Sequence, residues 1–335
     1  MNNSYSEPEF SIPDSTPRSS KTEFVVAGLR IYVYGLEELK LMHWSNNEIA
    51  VLYLAHGRTL TYLNMEGFAH EILHRYRNDR RPRKTNLIAV TLDMPNHGDR
   101  EVHCPTLFTA SNAPHAKVPH ISREANLSWD SGNETHGPDM LSLISASASD
   151  FGILFDYLPS YIPGRFKKFY NIMAGVSLGG HVAWRVSKSV GANKIHGIVP
   201  IIASPNLTGL MLTRLGVDAS ILKLTYRDLY TLSYKDLATV LTEEQQRRWP
   251  ESLSKIVQET DRTIEEDFPK DIPMLIQNGE QDLLVPSEFA TQWAQHTNPA
   301  PCKKIECFVQ KNTGHTCTKE MVANTADWLV RLFMI

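Results

Sequence analysis

The sequence predicts an α/β protein with a mainly parallel central sheet flanked by helices, and three observations predict it. Short continuous apolar runs, the pattern of strands buried on both faces, recur at residues 49–54, 87–92, 170–176, 195–202, 272–276 and 304–309. Segments with apolar residues at helical spacing alternate with most of these runs. Several runs end in segments dense in Gly, Pro, His and Asn, where an open α/β sheet carries its functional loops.

Residues 23–35 (EFVVAGLRIYVYG) read as two short strands about Gly28, an antiparallel hairpin that precedes the parallel sheet. The run IAVLYL (49–54) follows and ends at Ala55-His56-Gly57-Arg58. Residues 62–77 place Leu63, Phe68, Ile72 and Leu73 at helical spacing, and LIAVTL (87–92) then stops at Asp93-Met94-Pro95-Asn96-His97-Gly98. Residues 99–138 show little periodicity and much Pro, His, Ser and Asn, as an insertion or lid would. Asp139 opens a helical stretch that ends near Pro163-Gly164. Later helices are expected near 179–190, 287–297 and 319–333. Residues 205–270 interrupt the alternation with two or three helical patterns rich in Leu, Tyr and charge, read as a helical cap. No internal repeat is visible.

The 335 residues, 42% hydrophobic and 21% charged, are enough for one sizeable core, expected over residues 22–335. Residues 1–21, rich in Ser, Pro, Asn and Glu, are expected to form a disordered tail. The net charge of −3 comes from 34 basic and 37 acidic residues without long blocks of one sign. The basic run Arg77 to Lys84 reads as a solvated helix-to-strand loop, so no nucleic-acid partner is expected. No apolar run reaches the roughly 18 residues of a membrane span, and the N-terminus lacks the pattern of a secretory signal. A soluble cytoplasmic protein is expected. Cys104, Cys302, Cys307 and Cys317 match no zinc or disulfide spacing and read as free thiols. With no phosphate-cradling loop and no metal-ligand motif, neither a cofactor nor a metal is expected. Oligomeric state is not legible.

The strongest chemical signal is Gly175-Val176-Ser177-Leu178-Gly179, a G-x-S-x-G pattern between an apolar strand and a helix. Such a pattern arises by chance in roughly one chain of this length in ten, so its context carries the weight. A tight strand-to-helix turn needs small residues beside the serine, and a helix N-terminus favours negative charge developing on a substrate. A serine hydroxyl also needs a base, and the base a carboxylate to hold its tautomer. His315, in Thr313-Gly314-His315, follows the last strand. Asp282, in Asn278-Gly279-Glu280-Gln281-Asp282, follows the 272–276 strand, with Glu280 as the competing carboxylate.

At these residues the chain resembles the α/β-hydrolase family over about residues 25–335, with the family's order of Ser177, Asp282 and His315. The resemblance implies an α/β-hydrolase fold with Ser177 as nucleophile, His315 as base and Asp282 as the orienting acid. It implies Leu178 N–H as the first oxyanion donor. His56-Gly57-Arg58 resembles the family's His-Gly loop, which implies Arg58 N–H as the second donor and places Gly57 and His56 against substrate. His97 and His181 read as structural. The expected substrate is a small acyl compound, an ester, lactone or thioester, cleaved through an acyl-enzyme; amide and carbon–carbon cleavage stay open. Leu210, Met211, Leu212, Leu215, Tyr226, Leu229, Tyr230 and Tyr234 would give the cap an apolar pocket wall, or would simply pack. Residues 133–162 are similar to uncharacterised fungal α/β-hydrolases, some of which accompany polyketide pathways. An acyltransferase or a ligand-binding protein on the same fold is the alternative. A dinucleotide-binding enzyme is not, because AHGRTLTYL follows the first parallel strand where a glycine-rich G-x-G-x-x-G is required.

Overall fold

A computed structural model describes residues 7–40, 47–102, 124–162, 166–269, 271–297 and 304–335. Eight strands, β1 (Lys21–Val26), β2 (Leu29–Tyr34), β3 (Glu48–Ala55), β4 (Asn86–Leu92), β5 (Lys168–Val176), β6 (Gly197–Ile201), β7 (Met274–Gly279) and β8 (Ile305–Gln310), form one sheet. Their order is β1-β2-β4-β3-β5-β6-β7-β8. The β1–β2 and β2–β4 pairs are antiparallel and every later pair is parallel. The predicted hairpin turns at Ala27 and Gly28, both with positive φ (50° and 80°), the combination whose twist matches the flanking strands.

The helices are α1 (Leu36–Lys40), α2 (Tyr62–Asn78), α3 (His136–Tyr157), α4 (Leu178–Val190), α5 (Leu207–Arg214), α6 (Tyr234–Ala238), α7 (Glu243–Arg248), α8 (Glu251–Glu266), α9 (Ser287–Thr297) and α10 (Lys319–Leu332). The continuous apolar runs now have a physical reason. On β3, Ile49, Val51 and Tyr53 pack into the core that holds α3 and α4, while Ala50, Leu52 and Leu54 pack into the core that holds α2 and α10. Both faces are buried, so neither alternate set can be polar.

The apolar face of α2 differs from the expected one at its start. Leu63 is 59% exposed, and the stripe runs through Met65, Phe68, Ala69, Ile72, Leu73 and Tyr76. Residue 63 lies in the first turn, where Tyr62 instead stacks on Tyr32 across the sheet edge. The basic run after α2 is tied down by acids: Arg81 donates to Asp79 and Asp327, and Arg83 donates to the Asp79 carbonyl. Among the described residues no helix is long and apolar enough to cross a membrane.

The expected disorder of residues 1–21 does not hold where the chain is described. Residues 7–20 lie against α2, and Lys21 already opens β1. Phe10 meets Phe68 edge to face at 4.9 Å, and its N–H donates to the Cys317 carbonyl. Thr16 Oγ1 donates to the nearly buried Glu71 at 2.6 Å, and Ser19 N–H donates to His70 Nδ1. Low apolar content misleads here because the segment needs only one aromatic anchor when its polar atoms find buried partners on another element. Residues 1–6 lie outside the described residues.

Removal of residues 1–20 is therefore expected to lower stability by about 2 kcal/mol or more, since Phe68 loses its cover and Glu71 a partner. Urea unfolding of the full and shortened chains checks this; equal midpoints would mean that the segment contributes nothing.

Candidate active site

The sheet delivers its functional loops at the carboxyl ends of β3, β5, β7 and β8. Between β5 and α4 the chain reverses at Ser177, which stands at φ 54° and ψ −110°, outside the ordinary regions for a residue with a side chain. Three glycines allow it. A Cβ on Gly175 would lie 2.2 Å from the Gly179 carbonyl oxygen, and one on Gly179 would lie 2.2 Å from that of Ala55 in β3. A Cβ on Gly180 would strike Ala203. The turn is held by Ser177 N–H on the Ile201 carbonyl and Gly179 N–H on the His56 carbonyl.

Ser177 Oγ lies 2.8 Å from His315 Nε2, and His315 Nδ1 lies 2.7 Å from Asp282 Oδ2. With Asp282 accepting, Nδ1 carries the proton and Nε2 is free to accept from the serine hydroxyl. Asp282 is 4% exposed, and its other oxygen accepts from Leu284 N–H (2.9 Å) and Val285 N–H (2.8 Å). Both oxygens are thus committed and the carboxylate cannot rotate away. Glu280 turns elsewhere and accepts from Asn312 N–H. Gly279 explains the spacing: a Cβ there would lie 2.4 Å from the carbonyl oxygens of Thr313 and Gly314, so the acid and histidine loops touch through their backbones.

A cavity of about 330 Å³ opens beside Ser177 and His315, lined also by Gly57, Arg58, Leu60, Asn126, Leu127, Val176, Ile202 and Leu284. The backbone N–H groups of Arg58 and Leu178 make no hydrogen bond among the described residues. At Leu178 this follows from its place as the first residue of α4.

His56 does not reach this cavity, contrary to its expected place against substrate. Its side chain is fully buried, Nδ1–H donates to the Gly57 carbonyl, and Nε2 accepts from Met94 N–H. It fixes the β3 loop to the β4 loop. His97 does the same one step further out, with Nε2 accepting from Thr59 N–H. Asp93 caps the start of α2 by accepting from Tyr62 N–H. Of the two uses left open for the apolar residues of the 205–270 region, a pocket wall or packing, none of the eight lines this cavity. Leu210, Met211, Leu212 and Leu229 are instead buried in the main core.

Sequence reading missed a buried ion pair beneath the turn. Arg185 of α4 and Asp261 of α8 meet at 2.8 Å with almost no exposure. Asp261 also accepts from Leu207 N–H and Thr208 N–H, so one carboxylate ties α8, the start of α5 and the serine helix together. No local pattern marks such a pair, because its members lie 76 positions apart. Asn126 and Leu127, in the loop before α3, were missed for a similar reason: a cavity wall has no periodicity. Among the described residues no group of three or more His, Cys, Asp or Glu is placed to hold a metal ion.

Burial keeps His56 and His181 neutral near pH 7. It pushes His56 down to about 3, and it holds fully buried His181 well below its ordinary value, helped by Arg185 and Arg214. In the unfolded chain a histidine takes up its proton near pH 6.5, whereas His56 in the folded protein does so only near 3. The contribution of His56 to stability is therefore complete above pH 6.5 and is lost as pH falls toward 3. At pH 5.5 it amounts to a loss of about 1.4 kcal/mol. Urea unfolding of wild type and His56→Gln at pH 7.5 and 5.5 is expected to show a pH dependence smaller in the variant by that amount.

No protein-family model matches the chain, and no curated protein matches it. Solved structures do. The chain is similar to TT1662 from Thermus thermophilus, at 16% identity over 95% of this chain and 99% of that one, with a TM-score of 0.60. It is similar to a Bacteroides ovatus protein provisionally assigned as a dipeptidyl aminopeptidase IV, at 11% identity over 96% of this chain and 36% of that one, TM-score 0.51. A cold-adapted esterase from an Arctic intertidal metagenomic library aligns at 13% identity over 97% and 100%, TM-score 0.47. Together with the strand order and the helices on both faces, the similarity establishes that the chain has the α/β-hydrolase fold.

Proposed function

We propose that the protein is a serine hydrolase that cleaves a carboxylic ester, lactone or thioester. The observation that carries this reading is the continuous relay from Ser177 Oγ through His315 to the anchored Asp282, at 2.8 and 2.7 Å. A serine with no such base beside it stays protonated and unreactive near neutral pH.

In the proposed reaction Ser177 Oγ attacks the acyl carbon while His315 Nε2 takes its proton. Asp282 holds the Nδ1–H tautomer and faces the imidazolium that forms. The carbonyl oxygen, now negative, is received by the N–H groups of Leu178 and Arg58, which have no other partner among the described residues. His315 returns its proton to the leaving alcohol or thiol, which departs and leaves the acyl group on Ser177. Water, deprotonated by the same nitrogen, then releases the acid and restores the serine. Gly57 lies beside Arg58 and lets backbone approach the reacting carbonyl. A role in fungal secondary metabolism belongs to the same proposal and rests on residues 133–162 alone.

A fluorophosphonate probe is expected to add one adduct to the wild-type protein, seen by intact mass, and none to Ser177→Ala. On short-chain esters, Ser177→Ala and His315→Ala are expected to lose about 10³-fold or more in kcat. Asp282→Asn is expected to fall by about as much through the wrong tautomer, while Glu280→Gln stays within about twofold. Failure of folded wild type to label would overturn the serine mechanism and favour a binding protein.

A further inference from the structure

Two guanidinium groups near the candidate site have no carboxylate to themselves. Arg58, which lines the cavity beside Ser177, makes a single side-chain hydrogen bond among the described residues, from Nη1 to the Asn126 carbonyl at 2.9 Å. Arg214, at the end of α5, donates from Nη2 to the carbonyl of Leu284, a residue of the same cavity wall. Its Nη1 meets the Met140 sulfur at 3.8 Å, and its Nε is buried without a partner. Every Asp and Glu of the sequence lies within the described residues.

Among the described residues the charges that face this pair are few. Asp282 is close enough to favour the Arg214 charge, but its two oxygens are committed to His315 and to the Leu284 and Val285 amides. Glu9 lines the cavity at its exposed rim, where water screens it. His136, one helical turn before Met140, is 2% exposed and its Nδ1 has no partner. Burial and the two arginines hold His136 down to about 4, so it adds no charge at neutral pH. Burial, with Arg58 adding to it, lowers Arg214 to about 10. Both guanidinium groups thus remain charged, partly desolvated, and close enough to repel each other. Such an arrangement costs stability unless something anionic relieves it.

We infer that the cavity beside Ser177 is built for an ester that carries a carboxylate of its own, received by Arg58 and favoured by the charge of Arg214 behind the Leu284 wall. Arg58 offers the planar fork that matches a carboxylate. Arg214 acts through space as a positioning charge. The inference rests on the hydrolase reading for the place of the scissile bond, which the Ser177–His315 pair sets at the neighbouring wall of the same cavity. At about 330 Å³ the space suits a small substrate rather than a long lipid chain.

Matched ester pairs test it. Monoethyl adipate and ethyl hexanoate differ only in a terminal carboxylate against a methyl on the acyl side; 4-acetoxybutyrate and butyl acetate differ likewise on the alcohol side. Wild type is expected to favour the anionic member of at least one pair by about tenfold or more in kcat/KM, followed by pH-stat. Arg58→Met is expected to collapse that ratio by about tenfold, Arg214→Met by less, and Arg58→Lys is expected to restore part of it. A second measurement does not need turnover: calorimetric binding of monoethyl adipate and of 4-acetoxybutyrate to Ser177→Ala, with and without Arg58→Met. Ratios near one in wild type, or unchanged in the arginine variants while esters are cleaved, would overturn the anionic subsite and leave the hydrolase standing. Arg58-dependent binding without fluorophosphonate labelling would do the reverse, and folded Ser177→Ala that binds neither anion would overturn the subsite whatever the labelling.

Discussion

The geometry of the site depends on one constraint, the close approach of backbone around Ser177. The strand β5 can end in a residue at φ 54° and ψ −110° only if the next turn of helix is pressed against β3 and β6. Glycines at 175, 179 and 180 remove the three Cβ atoms that would otherwise occupy that contact. With the turn closed, Ser177 stands at the start of α4 with its Oγ 2.8 Å from His315 Nε2. Strain at one residue is sustained because a fully buried parallel sheet leaves its neighbours no room to relax.

The same kind of contact sets the rest of the relay. Gly279 allows the loop after β7 to touch the loop after β8, and this brings Asp282 to His315. The acid is then locked by two amides of its own loop. Neutral, buried His56 and His97 perform the matching service on the other side of Ser177, where each bridges the β3 loop to the β4 loop. Protonation of either ring would replace an accepted hydrogen bond with a donor facing a donor. Their low proton affinity is thus a condition of the loop geometry rather than a sign of catalytic use.

The alternation of strand and helix, the hairpin and the three side chains that meet at Ser177, His315 and Asp282 were legible because each has a local signature. Burial on both faces leaves an unbroken apolar run, a tight turn leaves glycines, and a strand end leaves a cluster of turn formers. What was not legible depends on distant partners. Residues 7–20 have the composition of a free tail, and their order comes from Phe68, Glu71 and His70 on α2. His56 has the sequence position of a substrate contact, but its rotamer is decided by Met94 N–H on the next strand's loop. For the tyrosines and leucines of 205–270 pocket wall and packing both stayed open, because spacing cannot say which side of a helix meets the sheet and which meets a cavity.

The charges near the site fit one electrostatic scheme. Buried Arg185 is balanced by buried Asp261, and that pair lies within the fold under the serine helix. Such a pair adds little net stability but fixes registry among α4, α5 and α8, since loss of either member would leave a charge buried alone. Arg58 and Arg214 stand closer to the cavity and lack that balance. A structural arginine is expected to have its own carboxylate, as Arg185 does, whereas an arginine that receives a substrate must keep its donors free until the substrate arrives. The contrast between the two sets is the one expected between charges that build a site and charges that receive a ligand in it.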